Sequence, residues 1–205
     1  MTRRFITFEG IDGAGKSTHI EPLAESLRAR GLTVVCTREP GGTPLAEQLR
    51  ALVLNEPMGG VAETLMVFAA RSDHLARVIV PALERGEVVL CDRFTDATFA
   101  YQGFGRGQDL AVLQALQTWV QSGLQPDLTL WFDVEPALAA RRRAEARSAD
   151  RFEAEDLAFF ERVRAGYLAR MEAEPHRIVR IDAAADRSSV RRQIDSALAD
   201  LAGSP

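Results

Sequence analysis

A glycine-rich stretch near the start of the chain, residues 10–18, has residue types and a spacing suited to binding phosphate. It fits the pattern G-x-x-x-x-G-K-[ST], in which backbone N–H groups contact phosphate oxygens, the lysine reaches the terminal phosphates and the hydroxyl holds Mg²⁺. A strand-like segment precedes it and a helical apolar pattern follows, as this motif requires. The sequence therefore predicts a phosphate-binding loop of Gly10, Ile11, Asp12, Gly13, Ala14, Gly15, Lys16, Ser17 and Thr18.

The lysine of this loop, Lys16, is the only lysine in the chain. A chance match in a glycine-rich turn is the alternative interpretation, but it gives no reason for a lone lysine at this position. Asp92 extends the motif, because it directly follows the mostly apolar segment 87–91. In strands of this kind, the terminal carboxylate supports Mg²⁺. Many strands end in Asp, so this residue is informative only together with the loop. We expect Ser17 and Asp92 to hold the metal.

Further charged side chains follow predicted strands or face a predicted cleft. Glu39 comes directly after the second strand, and Arg93 directly after the third. In open α/β sheets, ligands bind beyond the carboxyl ends of the strands. Together with Arg50 and Arg71, these groups suit a second substrate that carries a phosphate or a hydroxyl group. Solvated loop charges are the alternative interpretation.

A basic segment follows the fourth predicted strand. Five arginines lie within eleven residues, at positions 141, 142, 143, 147 and 151. One interpretation is a solvated helix face, in which neighbouring acids pair with the arginines. The other is a mobile basic lid, about residues 141–153, that closes over phosphates.

The elements that must position these residues follow an alternating pattern. Predicted strands cover residues 4–9, 32–37, 86–92, 128–133 and 178–182, and predicted helices cover 16–30, 44–54, 61–84, 110–120, 159–171 and 190–201, with a further helix opening at 136. Strands that alternate with helices favour a parallel sheet covered by helices on both faces. We expect a kink at Pro81 in the long helix, and a binding loop over residues 95–107.

Composition limits the remaining possibilities. A chain of 205 residues with 46% apolar residues predicts one α/β domain over 1–205, with the lid as its only appendage. A net charge of −4 gives no reason to expect nucleic acid as a partner. No leader pattern and no apolar run long enough to span a membrane is visible, so we expect a cytoplasmic protein without a membrane partner. Cys36 and Cys91 are expected to be small core residues in buried strands.

These residues form a set suited to phosphoryl transfer. Such a site positions two substrates and offsets charge on the transferring oxygens. A guanine-specific GTPase would need Asn-Lys-x-Asp, yet Asn55 is the only asparagine and Lys16 the only lysine. A P-loop ATPase module would be expected to carry accessory domains or a basic face. A kinase for another nucleoside or nucleoside monophosphate stays open.

Three motifs point to one family. Residues 37–43 (Thr-Arg-Glu-Pro-Gly-Gly-Thr), 92–93 (Asp-Arg) and 100–103 (Ala-Tyr-Gln-Gly) resemble bacterial thymidylate kinases, and the resemblance extends nearly end to end. It implies a P-loop kinase fold, phosphorylation of dTMP to dTDP with ATP and Mg²⁺, and a homodimer.

The resemblance also implies roles for individual residues. The acceptor-binding positions are Glu39 near the sugar and metal, Arg50 and Arg93 on the phosphate, Arg71, Thr98 and Gln102 on the base, and Tyr101 beside the sugar. Asp12 matches the acidic P-loop position near the acceptor, and 150–153 match the lid motif. Gly13 stands where one subclass has arginine, so the chain resembles the subclass in which a lid arginine supplies the transition-state charge. Its candidates are Arg142, Arg143, Arg147 and Arg151. Our predicted catalytic set is Lys16, Asp12, Arg93, Arg147 and Arg151.

One position departs from the family pattern. The family usually places an aromatic residue that stacks on the base four residues before the arginine matching Arg71. Here that position is Val67, and Phe68 follows it. Phe68 is therefore a candidate for base binding, and a core role for Phe68 with Val67 lining the pocket is the alternative.

Overall fold

The computed structural model describes residues 4–144, 151–152 and 155–203. Within these ranges, five strands form one sheet in the order β2-β3-β1-β4-β5, with every neighbouring pair parallel. The strands are β1 Arg4–Glu9, β2 Val34–Arg38, β3 Val88–Asp92, β4 Leu128–Asp133 and β5 Ile178–Asp182. The predicted five-stranded parallel sheet is confirmed.

Helices connect the strands. In chain order they are α1 Ser17–Ala29, α2 Pro44–Asn55, α3 Gly60–His74, α4 Val80–Glu84, α5 Thr95–Thr98, α6 Leu110–Gln121, α7 Pro136–Ala144, α8 Leu157–Ala173 and α9 Arg187–Gly203. Two π-helical segments, Leu75–Ile79 and Phe99–Gly105, lie between α3 and α4 and directly after α5.

Both faces of the sheet are covered, because successive strand residues point to opposite sides. Ile6 and Leu90 belong to the larger apolar cluster, which includes residues of α1, α8 and α9. Phe5 and Val89 belong to a second cluster, packed under the first π segment and α4. The predicted helical layers on both faces are therefore confirmed.

The second strand differs from its prediction. It begins at Val34, lies at the edge of the sheet and is only half buried, with Cys36 exposed. The near-continuous apolar run wrongly predicted a buried strand. An edge strand has a neighbour on one side only, so its apolar side chains are covered incompletely. The expected core role holds for Cys91, which is buried in β3, and is wrong for Cys36.

The long helix predicted over residues 61–84 is interrupted. A π turn separates α3 from α4, and the Val80 N–H bonds to the Leu75 carbonyl, five residues back. In a regular helix the ring of Pro81 would collide with the carbonyl four residues earlier. The wider turn just before Pro81 accommodates the ring.

Residues 95–107, predicted as a binding loop, are mostly helical. Arg106 N–H bonds to the Tyr101 carbonyl, five residues back, at 2.9 Å. The glycines that indicated a loop serve close packing instead: a Cβ added at Gly105 would lie 2.8 Å from the Phe159 ring of α8. The polar residues of this segment thus lie on a wide helical turn, a form that often marks functional sites.

A membrane-crossing helix was not expected from the sequence. Across the ranges that the structure describes, no helix has both the length and the apolar character needed to span a bilayer.

Candidate active site

The phosphate-binding loop joins β1 to α1 at the centre of the sheet. Gly10 has φ +134°, and a Cβ at this position would lie 2.4 Å from the Phe132 carbonyl oxygen of β4. Gly13 and Gly15 also have positive φ, at 85° and 88°. Such backbone conformations favour glycine and leave N–H groups free to point toward an anion.

Lys16 bends back over this loop. Its Nζ donates to the carbonyl oxygens of Gly10 and Ile11 at 3.0 and 3.3 Å. Burial lowers the pKa of Lys16, and the nearby charge of Arg93 lowers it further. An anion at the loop would relieve this repulsion.

A cleft with about 630 Å³ of empty space opens beside the loop, beyond the ends of β1, β2 and β3. It brings together eight of the residues predicted from the sequence: Asp12, Glu39, Arg50, Arg71, Arg93, Thr98, Tyr101 and Gln102. Apolar residues complete its walls, including Val53, Leu54, Val67, Phe94 and Phe152. This space, which we call the acceptor cleft, has the mixed polarity of a small-molecule site.

Arg93 connects the loop to the acceptor cleft. It has φ 69° at the end of β3, and its Nη2 donates to Asp12 Oδ1 at 2.7 Å and to the Tyr101 hydroxyl at 3.1 Å. Its Nη1 donates to the Tyr167 hydroxyl at 3.1 Å. Burial alone would raise the pKa of Asp12, but the charges of Arg93 and Lys16 hold it below its usual value. Asp12 is therefore an anion that orients Arg93 near neutral pH.

Arg71 is almost fully buried and held on three sides. Its Nε donates to Glu39 Oε2 at 2.7 Å, and its Nη2 donates to Thr98 Oγ1 at 2.8 Å. The rings of Phe68 and Phe94 lie 5.1 and 5.0 Å from the guanidinium carbon. Among the described residues, nothing accepts a hydrogen bond from its buried Nη1. This fixed donor, without a partner in a cleft wall, suits a ligand carbonyl.

Phe68 does not line the acceptor cleft. It packs with Phe99 and Leu113 in a separate apolar cluster, behind Arg71. Val67 lines the cleft instead. The packing thus favours the core interpretation of Phe68 over its candidate role in base binding. The physical reason is its rotation of roughly 100° about the helix axis from Val67.

The acceptor cleft gathers positive charge at one end. The Nη1 of Arg50 donates to the Pro40 carbonyl oxygen at 2.8 Å. Burial lowers the pKa of Arg50, and the charges of Arg38 and Arg93 lower it further. Two arginines, Arg50 and Arg93, that repel each other in a cleft form a favourable site for a phosphate.

Below the loop, a carboxyl group from β1 is buried. Glu9 Oε1 accepts from the Phe94 N–H at 2.6 Å, and Oε2 accepts from the Tyr167 hydroxyl at 2.9 Å. Burial, reinforced by the carboxylate of Asp96, raises the pKa of Glu9 to about 8. Through Tyr167, Glu9 is linked to Arg93.

The predicted metal ligands line a cavity distinct from the acceptor cleft. Ser17 and Asp92 line one surface cavity, and the buried Asp92 Oδ1 has no hydrogen-bond partner among the described residues. Those residues contain no group of three or more His, Cys, Asp or Glu that could hold a metal. A hydroxyl and one carboxylate fit Mg²⁺, which usually takes few protein ligands and completes its shell with phosphates and water.

A third cavity adjoins the loop on the side of β5. It is lined by Ala14, Gly15, Thr18, His19, Arg142, Ala183, Ala185, Arg187 and Val190. Arg142 donates to the Ala183 carbonyl oxygen at 3.0 Å. This cavity continues from the phosphate-binding loop, opposite the acceptor cleft.

Only part of the predicted lid lies in the described residues. Arg147 falls outside them, as does the side chain of Arg143. Arg151 is described, and its Nη2 donates to Glu63 Oε2 at 2.6 Å while its Nε donates to the Val53 carbonyl oxygen at 2.9 Å. Arg151 is thus anchored to α2 and α3.

Several residues of the site were not predicted. Phe94 follows Asp92 and Arg93 directly, so its position at a strand end was a usable signal. Tyr167 and His74 gave none, because a lone aromatic or histidine in an amphipathic helix has the pattern of a core residue. His74 Nδ1 lies 3.0 Å from Glu39 Oε1, a contact that only the folded chain reveals.

Comparisons with known proteins agree with this geometry. The chain matches the family model described as thymidylate kinase over residues 8–194. It is 61% identical over 204 residues to a thymidylate kinase of Paracidovorax citrulli, covering 95% of this chain and 92% of that protein. It is 58% identical to one of Ralstonia nicotianae, with 98% and 100% covered.

A solved structure is also similar. The crystal structure of thymidylate kinase from Ehrlichia chaffeensis matches with a TM-score of 0.76 and 36% identity, over 94% of this chain and 97% of that one. The P-loop sheet, the acceptor cleft and these matches agree with the resemblance seen in the motifs. The chain belongs to the thymidylate kinase family.

Proposed function

We propose that the chain transfers the γ-phosphoryl group of ATP to dTMP, forming ADP and dTDP, as a step toward dTTP. The observation that carries this proposal is the acceptor cleft beside a P-loop, with the partnerless Arg71 Nη1 in its wall and two arginines at one end. A hydrolase needs no second cleft of this kind, whereas a nucleotide kinase must bind an acceptor.

On the donor side, the loop residues 10–18 bind the ATP phosphates. Lys16 leaves the loop carbonyls to contact the β- and γ-phosphates, since those carbonyls are weaker partners for its charge than a phosphate. The base of ATP occupies the cavity lined by Arg142 and Arg187.

On the acceptor side, Arg71 donates to a carbonyl oxygen of thymine, and Gln102 bonds the same edge of the base. Thr98 and Glu39 act mainly by holding Arg71, and Val67 and Phe94 contribute apolar surface. Arg50 and Arg93 bind the phosphate of dTMP. The side chains of Tyr101 and Asp12 lie 3.0 Å apart. We expect the sugar of dTMP to contact both.

In the reaction, a phosphate oxygen of dTMP attacks the γ-phosphorus, and the bond from that phosphorus to the β–γ bridging oxygen breaks. The chain positions the two substrates and offsets charge, as such reactions require. Lys16 and Arg93 provide fixed positive charge near the transferring group. Ser17 and Asp92 would hold Mg²⁺, which neutralises phosphate charge when bound.

We also propose that 1–205 form one kinase domain whose lid, about 141–153, supplies the arginine for the transition state. Because Arg151 is anchored to Glu63, Arg147 is the stronger candidate of the two. We place the protein in the cytoplasm, and the two cysteines, both without a disulfide, suit a reducing compartment.

A homodimer completes the proposal. Helix α3 exposes Val61, Leu65, Ala69, Ser72 and, in the following π segment, Ala76, at spacings that place them on one face. Helix α6, which contacts α3, exposes Val112 and Trp119. An apolar face of this extent suits an interface with a second copy.

An acceptor panel tests the function. ADP release would be measured with Mg²⁺ and ATP against dTMP, dUMP, dCMP, AMP and thymidine. Turnover with dTMP well above the others is expected. Turnover with another acceptor and none with dTMP would favour a different nucleotide or nucleoside kinase, and hydrolysis independent of any acceptor would favour a P-loop ATPase.

A further inference from the structure

We propose that Glu63, on α3, sets the base selectivity of the acceptor cleft by fixing which way round the carboxamide of Gln102 faces. This rests on the proposed function, in which Gln102 contacts the acceptor base. Glu63 itself does not line the cleft, so its role is that of a positioning residue.

The carboxylate of Glu63 is fully buried and shared by three donors. Its Oε1 accepts from Gln102 Nε2 at 2.8 Å, and its Oε2 accepts from Arg151 Nη2 at 2.6 Å. Arg106 Nε lies 3.3 Å from Oε2. Gln102 belongs to the second π segment, Arg106 follows that segment directly, and Arg151 lies at the end of the lid. One buried carboxylate thus joins α3, the cleft wall and the lid.

A carboxylate only accepts hydrogen bonds, so the amide nitrogen of Gln102 must face Glu63. The amide oxygen lies on the other branch of the same planar group. Within the described ranges it accepts no hydrogen bond. Gln102 lines the cleft together with Arg71, whose Nη1 has no partner among those residues. In the proposed arrangement, Gln102 turns its amide oxygen, an acceptor, toward the base, and Arg71 supplies a donor beside it.

This pair matches the imide edge of thymine and uracil, which offers a carbonyl oxygen at position 4 and an N–H at position 3. Cytosine offers the opposite pattern, an amino group at position 4 and an acceptor at position 3. A reversed Gln102 carboxamide would oppose its NH₂ to the N–H of thymine. Gln102 alone could adopt either orientation, and the contact with Glu63 selects one.

The variant Glu63→Gln reverses this constraint at nearly constant volume. The oxygen of the introduced amide can still accept from an arginine. Its NH₂ must donate, and of the described partners of Glu63 only the carboxamide of Gln102 can accept. Gln102 is therefore expected to turn round and present its own NH₂ to the cleft.

The test compares dissociation constants of dTMP, dUMP and dCMP, measured by calorimetry, for the wild type and Glu63→Gln. We expect dTMP and dUMP to weaken by the same factor, roughly ten- to hundredfold, because a donor then opposes N3–H. Binding of dCMP should not weaken. Arg71 is unchanged in both proteins, so its preference cancels when the ratio of dTMP to dCMP affinity in the variant is compared with that in the wild type.

Glu155→Gln is the matched control, since Glu155 also pairs with Arg106 but has no described contact with Gln102. It should leave the ratio unchanged. A folded Glu63→Gln protein in which all three nucleotides weaken equally, or none does, would overturn the proposal, because a purely structural role cannot move the ratio.

If Glu63→Gln does not fold, Glu63→Met replaces it. That variant leaves the Gln102 carboxamide unconstrained, so the ratio should fall by a smaller factor, and an unchanged ratio would again overturn the proposal. A wild-type protein that fails to bind dTMP would contradict the proposed function instead.

Discussion

At the scale of single residues, the floor of the site holds a surplus of positive charge. Lys16, Arg50 and Arg93 are each buried or partly buried, and the pKa values of Lys16 and Arg50 are lowered by burial and by neighbouring cations. By direct contact, the carboxylate of Asp12 offsets the positive charge of Arg93. Two phosphate-bearing substrates would relieve this repulsion.

The two lid arginines should behave differently. Arg147→Ala is expected to lower kcat by roughly 10²-fold or more with little change in KM for dTMP, because its charge is needed in the transition state. Arg151→Ala should instead lower the melting temperature, since it leaves the buried Glu63 with fewer partners. Steady-state kinetics and thermal unfolding of both variants separate these roles. Equal kcat losses in two equally stable variants would contradict them.

The buried Glu9 should make stability depend on pH. Its pKa rises from 4.5 to about 8 on folding, so the folded protein binds a proton more tightly than the unfolded chain. This contribution to stability is complete below about pH 4.5 and is lost as the pH rises to about 8. Between pH 5 and pH 9, the melting temperature of the wild type should therefore fall relative to that of Glu9→Gln. Each kcal/mol of lost stability corresponds to a fall of about 2–4 °C. Parallel pH profiles would contradict the assignment.

Residue types at fixed spacings made much of the site predictable. The loop from Gly10 to Thr18 and the strand-end residue Arg93 lie where the motifs place them, because local backbone geometry dictates them. The contacts of Arg71 with Glu39 and of Glu63 with Gln102 span 32 and 39 residues of sequence. No local pattern encodes such pairings, so the sequence could not predict them.

At the scale of elements, the second π segment and α8 form the wall that carries Tyr101, Gln102 and Tyr167. Their close approach depends on glycine, since a Cβ at Gly166 would lie 2.8 Å from the Ala100 Cα. β4 and β5 have the predicted bounds, and the fully buried β4 gave the clearer apolar signal. The π segments were not predicted, because a single wide turn leaves no period in the sequence.

A methyl group at Gly105 tests this packing. Gly105→Ala should lower the melting temperature, with an overpacking cost of typically 1–3 kcal/mol, because its Cβ would meet the Phe159 ring and Val163. It should also raise KM for dTMP, since the displaced turn carries Gln102. Gly59→Ala is the matched control, as no atom lies within 4 Å of its added Cβ. Equal melting temperatures for the two variants would argue against a packing role.

At the scale of the whole molecule, the sheet order places β1 and its loop between two cavities. β3 and β2 on one side carry the acceptor cleft, and β4 and β5 on the other border the third cavity. The alternation of strands and helices predicted the parallel sheet. Strand order and the edge position of β2 depend on long-range pairing, which the sequence pattern does not specify.

The exposed face of α3 should form the dimer interface. Light scattering at micromolar concentration is expected to give the mass of two chains for the wild type and of one chain for Leu65→Glu, because a charge in an apolar interface is costly. Leu168→Glu, at an exposed leucine of α8, should remain dimeric. A monomeric wild type, or a dimeric Leu65→Glu, would contradict this interface.

We infer that thymine binds at Arg71, in a cleft separate from the ATP site. Arg71→Lys keeps a positive charge beside Glu39 but removes the guanidinium Nη1, the donor that has no partner among the described residues. Calorimetric titration of this variant with dTMP and, separately, with ATP and Mg²⁺ tests the claim most directly. We predict that dTMP binds roughly tenfold more weakly or worse while ATP affinity is unchanged. Equal weakening of both nucleotides in the folded variant, or unchanged binding of dTMP, would contradict the account.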